Sequence, residues 1–460
     1  MANEESTGQG LIGVGETHRL IQTLRRRKTA SSRQFAAGRV GLRRTPKRLL
    51  IRMLVVAAAL ALPSVGSAAE PSGYSASGGQ PVLTLATNNP GVSGLVNFEP
   101  RAISCPADGD CAAVMNNPSG GTALALEVGG QWQQPTYPPL PATINVMGAN
   151  PAHPAFTSVA CWQPGDCVAV GGDQIVQGQQ YSFSVTSTNN VWGPVVLIPA
   201  PAGGQDASLQ GVSCTDSGEC ISVGGYYRTR DARERPMYDV LIGDTWSAPE
   251  PAPFAFSDDA CPALGSCVAA GVARAKGGTR SVFISRFNGS SWSSPVYGSE
   301  PRSDAGGMTV DSLSCPTSTF CALSTEQSPG SSQSVLPYIS TVNGEKWTGP
   351  TQLPLPSDSE ATASAYTILS CWANNECLGV GTYTARHRGS FPYEAFADFK
   401  QSGRWVAAAI ATERGYNRQN IYDLSCPTAS GCTASGAQSI APTYSVSTPT
   451  VLSGFGPTLQ

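Results

Sequence analysis

The sequence predicts an all-β fold, a seven-bladed β-propeller of four-stranded blades with one disulfide inside a hairpin of each blade. Three observations predict it. All fourteen cysteines fall into seven pairs of identical spacing: Cys105/Cys111, Cys161/Cys167, Cys214/Cys220, Cys261/Cys267, Cys315/Cys321, Cys371/Cys377 and Cys426/Cys432. The intervals between successive first cysteines are nearly equal, the shortest running from Cys214 to Cys261, and a fixed period of this kind belongs to repeat architectures. A tryptophan recurs in the second half of six repeats, as Trp132, Trp192, Trp246, Trp292, Trp347 and Trp405. Composition agrees: charged residues are only 13% of the 460, beside 50 Gly and 36 Pro, which excludes a fold built on long amphipathic helices. The apolar share of 40% still suffices for a large core, which argues against wholesale disorder.

In chain order, residues 1–68 form a basic leader and signal peptide, and residues 69–460 a single propeller domain. The leader carries 12 basic and 3 acidic residues. Its apolar stretch from Met53 to Leu62, MLVVAAALAL, has the length of a secretory h-region and about half that of a membrane-spanning helix. Small residues up to Ala68 and Ala69 follow as a cleavage site; an uncleaved anchor is the alternative, and a translation start nearer Met53 would explain the long basic region. The remainder holds 17 basic and 29 acidic residues, so a chain of formal charge -3 divides into a leader of +9 and an exported part of -12.

Each repeat reads as two hairpins. Strand A ends at the first cysteine and strand B starts at the second, as in SLSCPTSTFCALS. Strand C covers stretches such as SVFISRF, and strand D carries the tryptophan just past a turn such as Asn288-Gly289 or Asn343-Gly344, a strong hairpin signal. Four strands repeated seven times satisfy a propeller; a linear β-solenoid is the competing architecture. The seventh repeat lacks the tryptophan, and Phe455 is expected in its place. The segment Gly78 to Gly91 resembles a D strand without a blade, so one of the two ends is expected to complete blade seven.

Opposed positions in an antiparallel hairpin lie within reach of a disulfide. Closing so small a loop contributes roughly 2.4 kcal/mol in the chain-entropy account. Zinc is the competing use of the cysteines. The spacing, an export signal and an odd number of pairs argue against it. No metal or cofactor is expected.

Propeller topology puts the A-to-B and C-to-D turns at one face and the B-to-C and D-to-A connections at the other. The B-to-C loops vary most, which makes theirs the expected working face. Repeat three carries Tyr226, Tyr227, Arg228, Arg230, Arg233 and Arg235 in YYRTRDARERP; repeat four carries Arg274, Lys276 and Arg280; repeat six carries Arg386, His387 and Arg388 beside Tyr383. These loops hold nine of the 17 basic residues of an acidic protein. The arrangement suits an anionic partner, with Arg for bidentate contacts and Tyr for stacking. Solvated loop tips compensated by Asp231, Glu234 and Asp239 are the plainer alternative. Nucleic acid is disfavoured by the net negative charge.

One repeat departs from the pattern. Ile103, Val159, Val212, Leu313, Leu369 and Leu424 stand two residues before the first cysteine, but repeat four has Asp259 there, after Asp258. A carboxylate at that place belongs either to a site near the central channel or to a shortened, partly exposed strand.

The turns NGSSW, NGEKW and IGDTW resemble the Asp-box hairpins of sialidase-like propellers. The fuller pattern of SCP, four residues, Cys and a Gly-rich strand resembles secreted propellers of uncharacterised function in high-GC Gram-positive bacteria. The Asp-box form is incomplete in every repeat and the sialidase Phe/Tyr-Arg-Ile-Pro motif is absent, so no sialidase catalytic residue carries over. With only His153 and His387 beyond the leader, a Ser-His-Asp triad or a histidine metal centre has little material. The sequence therefore suggests a secreted or cell-surface recognition propeller, a monomer without a membrane span, that binds an anionic surface polymer or protein. A polysaccharide-active enzyme, a carboxylate-based glycoside hydrolase or lyase, is the alternative.

Overall fold

The computed structural model describes residues 98–117, 122–138, 155–176, 179–228, 231–263, 265–275, 280–298, 305–329, 334–360, 365–386, 393–401, 403–410, 418–439 and 447–455. The leader and the segment Gly78 to Gly91 lie outside them. Every regular element among the described residues is a strand, and none is a helix long and apolar enough to cross a membrane.

The strands form antiparallel sheets arranged as a propeller. Six sheets are complete blades of four or five strands, each in simple sequence order. Where there are five, in the second and third sheets, the outermost strand is interrupted and both pieces pair with the same third strand. The sheet around Cys426 and Cys432 has three strands, Arg418–Ser425, Cys432–Ser439 and Ser447–Phe455. The first strands of the sheets are innermost and pack on one another in order, and Arg418–Ser425 packs against Glu99–Ala107 to bring the last sheet to the first.

The repeat landmarks fall where the spacing places them. Seven disulfides join the seven expected pairs, Cys105–Cys111, Cys161–Cys167, Cys214–Cys220, Cys261–Cys267, Cys315–Cys321, Cys371–Cys377 and Cys426–Cys432, with Cα atoms 4.0 to 4.1 Å apart. No described cysteine is free. The second cysteines Cys111, Cys167, Cys267 and Cys321 are all buried in the apolar core, so these residues are scaffold and offer no sulfur to a ligand. The strand limits differ from the expected ones. Cys220, Cys267 and Cys432 do begin their strands, but Cys111, Cys167, Cys321 and Cys377 follow a first strand residue, namely Asp110, Asp166, Phe320 and Glu376. The cause is continued pairing: Asp110 pairs with Ala107, Asp166 with Gln163 and Glu376 with Ala373 beyond the disulfide, while Phe320 pairs with Asn343 of the third strand.

Each tryptophan pairs with the third strand of its sheet: Trp132 with Glu127, Trp192 with Ser187, Trp246 with Leu241, Trp292 with Phe287, Trp347 with Val342 and Trp405 with Lys400. Phe455 does not take the tryptophan's place. It lies opposite Cys432 at the end of a third strand, where Val342 stands opposite Cys321 in the fifth sheet, because one hairpin uses up all the chain from Cys432 to Phe455. The glycine that closes the second-strand motif also has a physical cause. At Gly171, Gly224, Gly271, Gly381 and Gly436 an added Cβ would collide with a carbonyl oxygen of the preceding strand or its lead-in.

A belt of side-chain to backbone hydrogen bonds stitches the sheets together. The serine before the first cysteine accepts the cysteine N–H of the following sheet: Ser104 from Cys161 (3.0 Å), Ser213 from Cys261 (2.8 Å), Ser314 from Cys371 (2.9 Å), Ser370 from Cys426 (3.0 Å) and Ser425 from Cys105 (2.9 Å). Repeats two and four have Ala160 and Ala260 there. Strand periodicity places the residue two positions earlier on the same side, and in these repeats it takes over: Ser158 accepts from Val212 N–H (3.2 Å) and Asp258 from Leu313 N–H (2.6 Å). The fifth and last sheets use both positions, since Ser312 also accepts from Leu369 N–H (2.7 Å) and Asp423 from Ile103 N–H (2.8 Å).

Candidate functional site

Arg228, Arg233 and Arg235 of the third sheet stand on paired strands and not on a loop. Cys220–Arg228 and Asp231–Ile242 pair as far as Arg228 and Asp231. A run of Tyr, Arg and Glu suits a strand as well as a loop, and here the hairpin wins. Tyr226 is a core residue, 1% exposed and packed with Met237 and Leu241, so it offers no stacking face. Gly204 makes room for it, because an added Cβ there would meet the Tyr226 ring at 2.5 Å. Tyr227 is half-buried opposite Glu234, Arg235 is half-buried opposite Tyr226, and Arg228 and Arg233 are exposed.

In the fourth sheet Arg274 and Arg280 are direct cross-strand partners at the hairpin end, and both are exposed. In the sixth sheet Arg386 is exposed and donates to the Ser359 carbonyl at 3.1 Å, while Tyr383 is fully buried and bonded to Asp358 (2.9 Å). Arg230, Lys276, His387 and Arg388 lie outside the described residues. Asp239, expected as a neighbouring counter-charge, is 1% exposed and accepts from Val240 N–H and Ser247 Oγ, with burial pushing its carboxyl up to about 6.

Asp259 sits on the three-residue strand Asp258–Ala260, so the strand is short, yet the residue is only 6% exposed. Its carboxyl fills the space left by Gly211 of the third sheet, where an added Cβ would lie 2.5 Å from Oδ1. Burial, and then the neighbouring Asp258, hold it well above the usual carboxylate range. It is a buried acid between sheets and not a partly exposed strand end. Burial also raises Asp258 to about 6 and Asp423 to about 7. A further carboxylate pair escapes the sequence pattern. Asp311, on the inner strand of the fifth sheet, accepts from Thr309 Oγ1 at 3.3 Å, and Glu326 stands opposite Thr309. Burial raises both, Asp311 strongly, and the Glu326 charge adds to the pressure on Asp311 to stay protonated.

Two clefts open between neighbouring blades, reaching from the disulfide-turn face along the outer strands. One of about 620 Å³ lies between the fifth and sixth sheets and contains Lys400, Arg404 and Trp405. The other, about 430 Å³, lies between the fourth and fifth and contains Arg286 and Trp292. Neither is legible in the sequence as a cleft, because its walls come from different repeats.

No protein-family model matches the chain, and no curated protein matches it. Solved structures similar to it include the BP39L lectin from Burkholderia pseudomallei, at 12% identity and TM-score 0.46 over 75% of this chain and 93% of that one. AofleA from Arthrobotrys oligospora is similar at 11% identity and TM-score 0.40, over 69% and 88%. The Hadza microbial sialidase Hz136 is similar at 12% identity and TM-score 0.41, over 75% and 73%. No family membership follows at this level of likeness.

Proposed function

We propose that the protein is an exported recognition propeller that binds an anionic surface polymer through the arginine-bearing hairpin ends of its third, fourth and sixth sheets. The observation that carries this reading is the direct pairing of Arg274 with Arg280. Both are exposed at one hairpin end, where a carboxylate or phosphate can accept from the two guanidinium forks together. Arg228 and Arg233 extend the same chemistry on the adjoining sheet. Seven disulfides support an oxidising compartment, in keeping with the leader. The three-stranded sheet is the seventh blade in this reading, with Ser447–Phe455 as its third strand.

Charge reversal of Arg228, Arg230, Arg274 and Arg280 together tests the proposal by retention on immobilised anionic glycans. Retention is expected to fall at least tenfold and, in the unaltered protein, to weaken with added salt; retention unchanged by the reversal would sink the idea. A second reading, a carboxylate-based polysaccharide-active enzyme, is favoured by the Asp311 and Glu326 pair. It requires that product release from an acidic polysaccharide be detectable and disappear in Asp311→Asn.

A further inference from the structure

The two inter-blade clefts occupy the same place in the repeat, and their differences decide what each can hold. In both, one wall is the end of a third strand with the residue after the tryptophan: Arg286 with Ser293 in the smaller cleft, Thr341 with Thr348 in the larger. The opposite wall is the disulfide turn of the next sheet, Thr319 in one and Asn375 in the other.

In the smaller cleft the cation is already committed. Arg286 donates to the Ser318 carbonyl at 2.7 Å and the Gly344 carbonyl at 3.0 Å, strapping one sheet to the next, and Glu345 adds a negative charge to the lining. In the larger cleft Thr341 replaces the arginine, so that strap is missing. Its far wall instead carries Lys400 and Arg404. The Lys400 ammonium lies 5.6 Å from the centre of the Trp405 ring and donates to the Asn375 carbonyl at 3.3 Å, which holds it inside the cleft. Arg404 is exposed. Thr341, Thr348, Thr351 and Gln352 line the cleft on the side of the fifth sheet, and among the described residues no carboxylate lines it. Two cations without an acid are unusual on a chain whose part beyond residue 68 carries a net charge of -12.

The geometry points to a saccharide site, specific for a sugar unit that carries a carboxylate, such as a hexuronate. Lys400 and Arg404 take the carboxylate, the Trp405 ring takes the apolar edge of the sugar, and the threonine hydroxyls and Gln352 take its hydroxyls. Such a mixture of one aromatic wall with a few placed polar groups is the usual composition of a small-ligand site, and charge-assisted bonds are its strongest contacts. The site is separate from the arginine hairpins, which stand at the opposite ends of the strands, and its failure and theirs are separable by mutation.

The probe is a short glucuronate-containing oligosaccharide, titrated into the disulfide-bonded protein beside a neutral oligosaccharide of equal length and followed by tryptophan fluorescence and calorimetry. Saturable binding of the acidic oligosaccharide is expected, at least tenfold tighter than the neutral one. The double variant Lys400→Gln with Arg404→Gln should weaken it at least tenfold, while charge reversal of Arg228 and Arg280 leaves it unchanged. Arg404 is exposed and Lys400 half-buried, and a melting curve confirms the fold of the double variant; Trp405→Leu provides the third comparison. Equal binding of the neutral oligosaccharide, unaltered affinity in the folded double variant, or no saturable binding into the millimolar range overturns the assignment.

Discussion

Asp423 accepts N–H groups from Ile103 and from Leu424, and those bonds favour its charged form, yet burial outweighs them and raises it to about 7, with Asp258 repelling it further. An unfolded aspartate titrates near 3.9. Folding therefore holds the proton on this group: its penalty is absent below pH 4 and complete above about 7, with a ceiling of about 4 kcal/mol. Asp423→Asn removes the titration while keeping an acceptor for Ile103. Urea melts should show the variant losing less stability than the parent between pH 5 and pH 8; parallel curves would show that another group governs the window. The sequence marks Asp258 and Asp259 as anomalies, but only the neighbouring repeats explain them. Asp258 stands in for the missing serine at Ala260, and Asp259 fits the hole at Gly211. Neither relation is visible within one repeat, because each joins positions in two successive repeats.

At the scale of elements, the disulfide hairpin is the part most fully legible in the sequence. Its two cysteines, their turn and the tryptophan strand are local, and the pairing of each is the expected one. The arginine segment of the third sheet is less legible, since the same residues suit a loop or a polar strand extension, and the pairing of Tyr226 with Arg235 decides for strand. The role of Tyr226 changes with it: alternation along the strand turns Tyr226 into the core and leaves Tyr227 half-buried. Because each disulfide closes only its own turn, the seven should act almost independently. Replacing Cys371 and Cys377 together by alanine should cost roughly 2 kcal/mol in a denaturant melt without altering the other six bonds. Loss of the whole cooperative transition would instead mean that this hairpin nucleates the ring.

For the whole molecule, the spacing of the cysteines tells the number of repeats but not the closure. Phe455 stands one strand short of the role that the sequence expects of it. Closure is instead seen in Asp423 and Ser425, which reach Ile103 and Cys105 across 320 residues of sequence. All these bonds run in one rotational sense, each sheet's side-chain oxygen receiving an N–H from the sheet that follows. The belt thereby turns the amides of the first cysteines into reporters of assembly. In deuterated solvent the N–H groups of Cys105, Cys161, Cys261, Cys371 and Cys426 should exchange slowly, whereas those of Cys214 and Cys315, which follow the repeats with Ala160 and Ala260, have no serine acceptor and should exchange faster. Ser425→Ala should release the Cys105 amide alone if sheets open one at a time, and all five if the ring breathes as a unit.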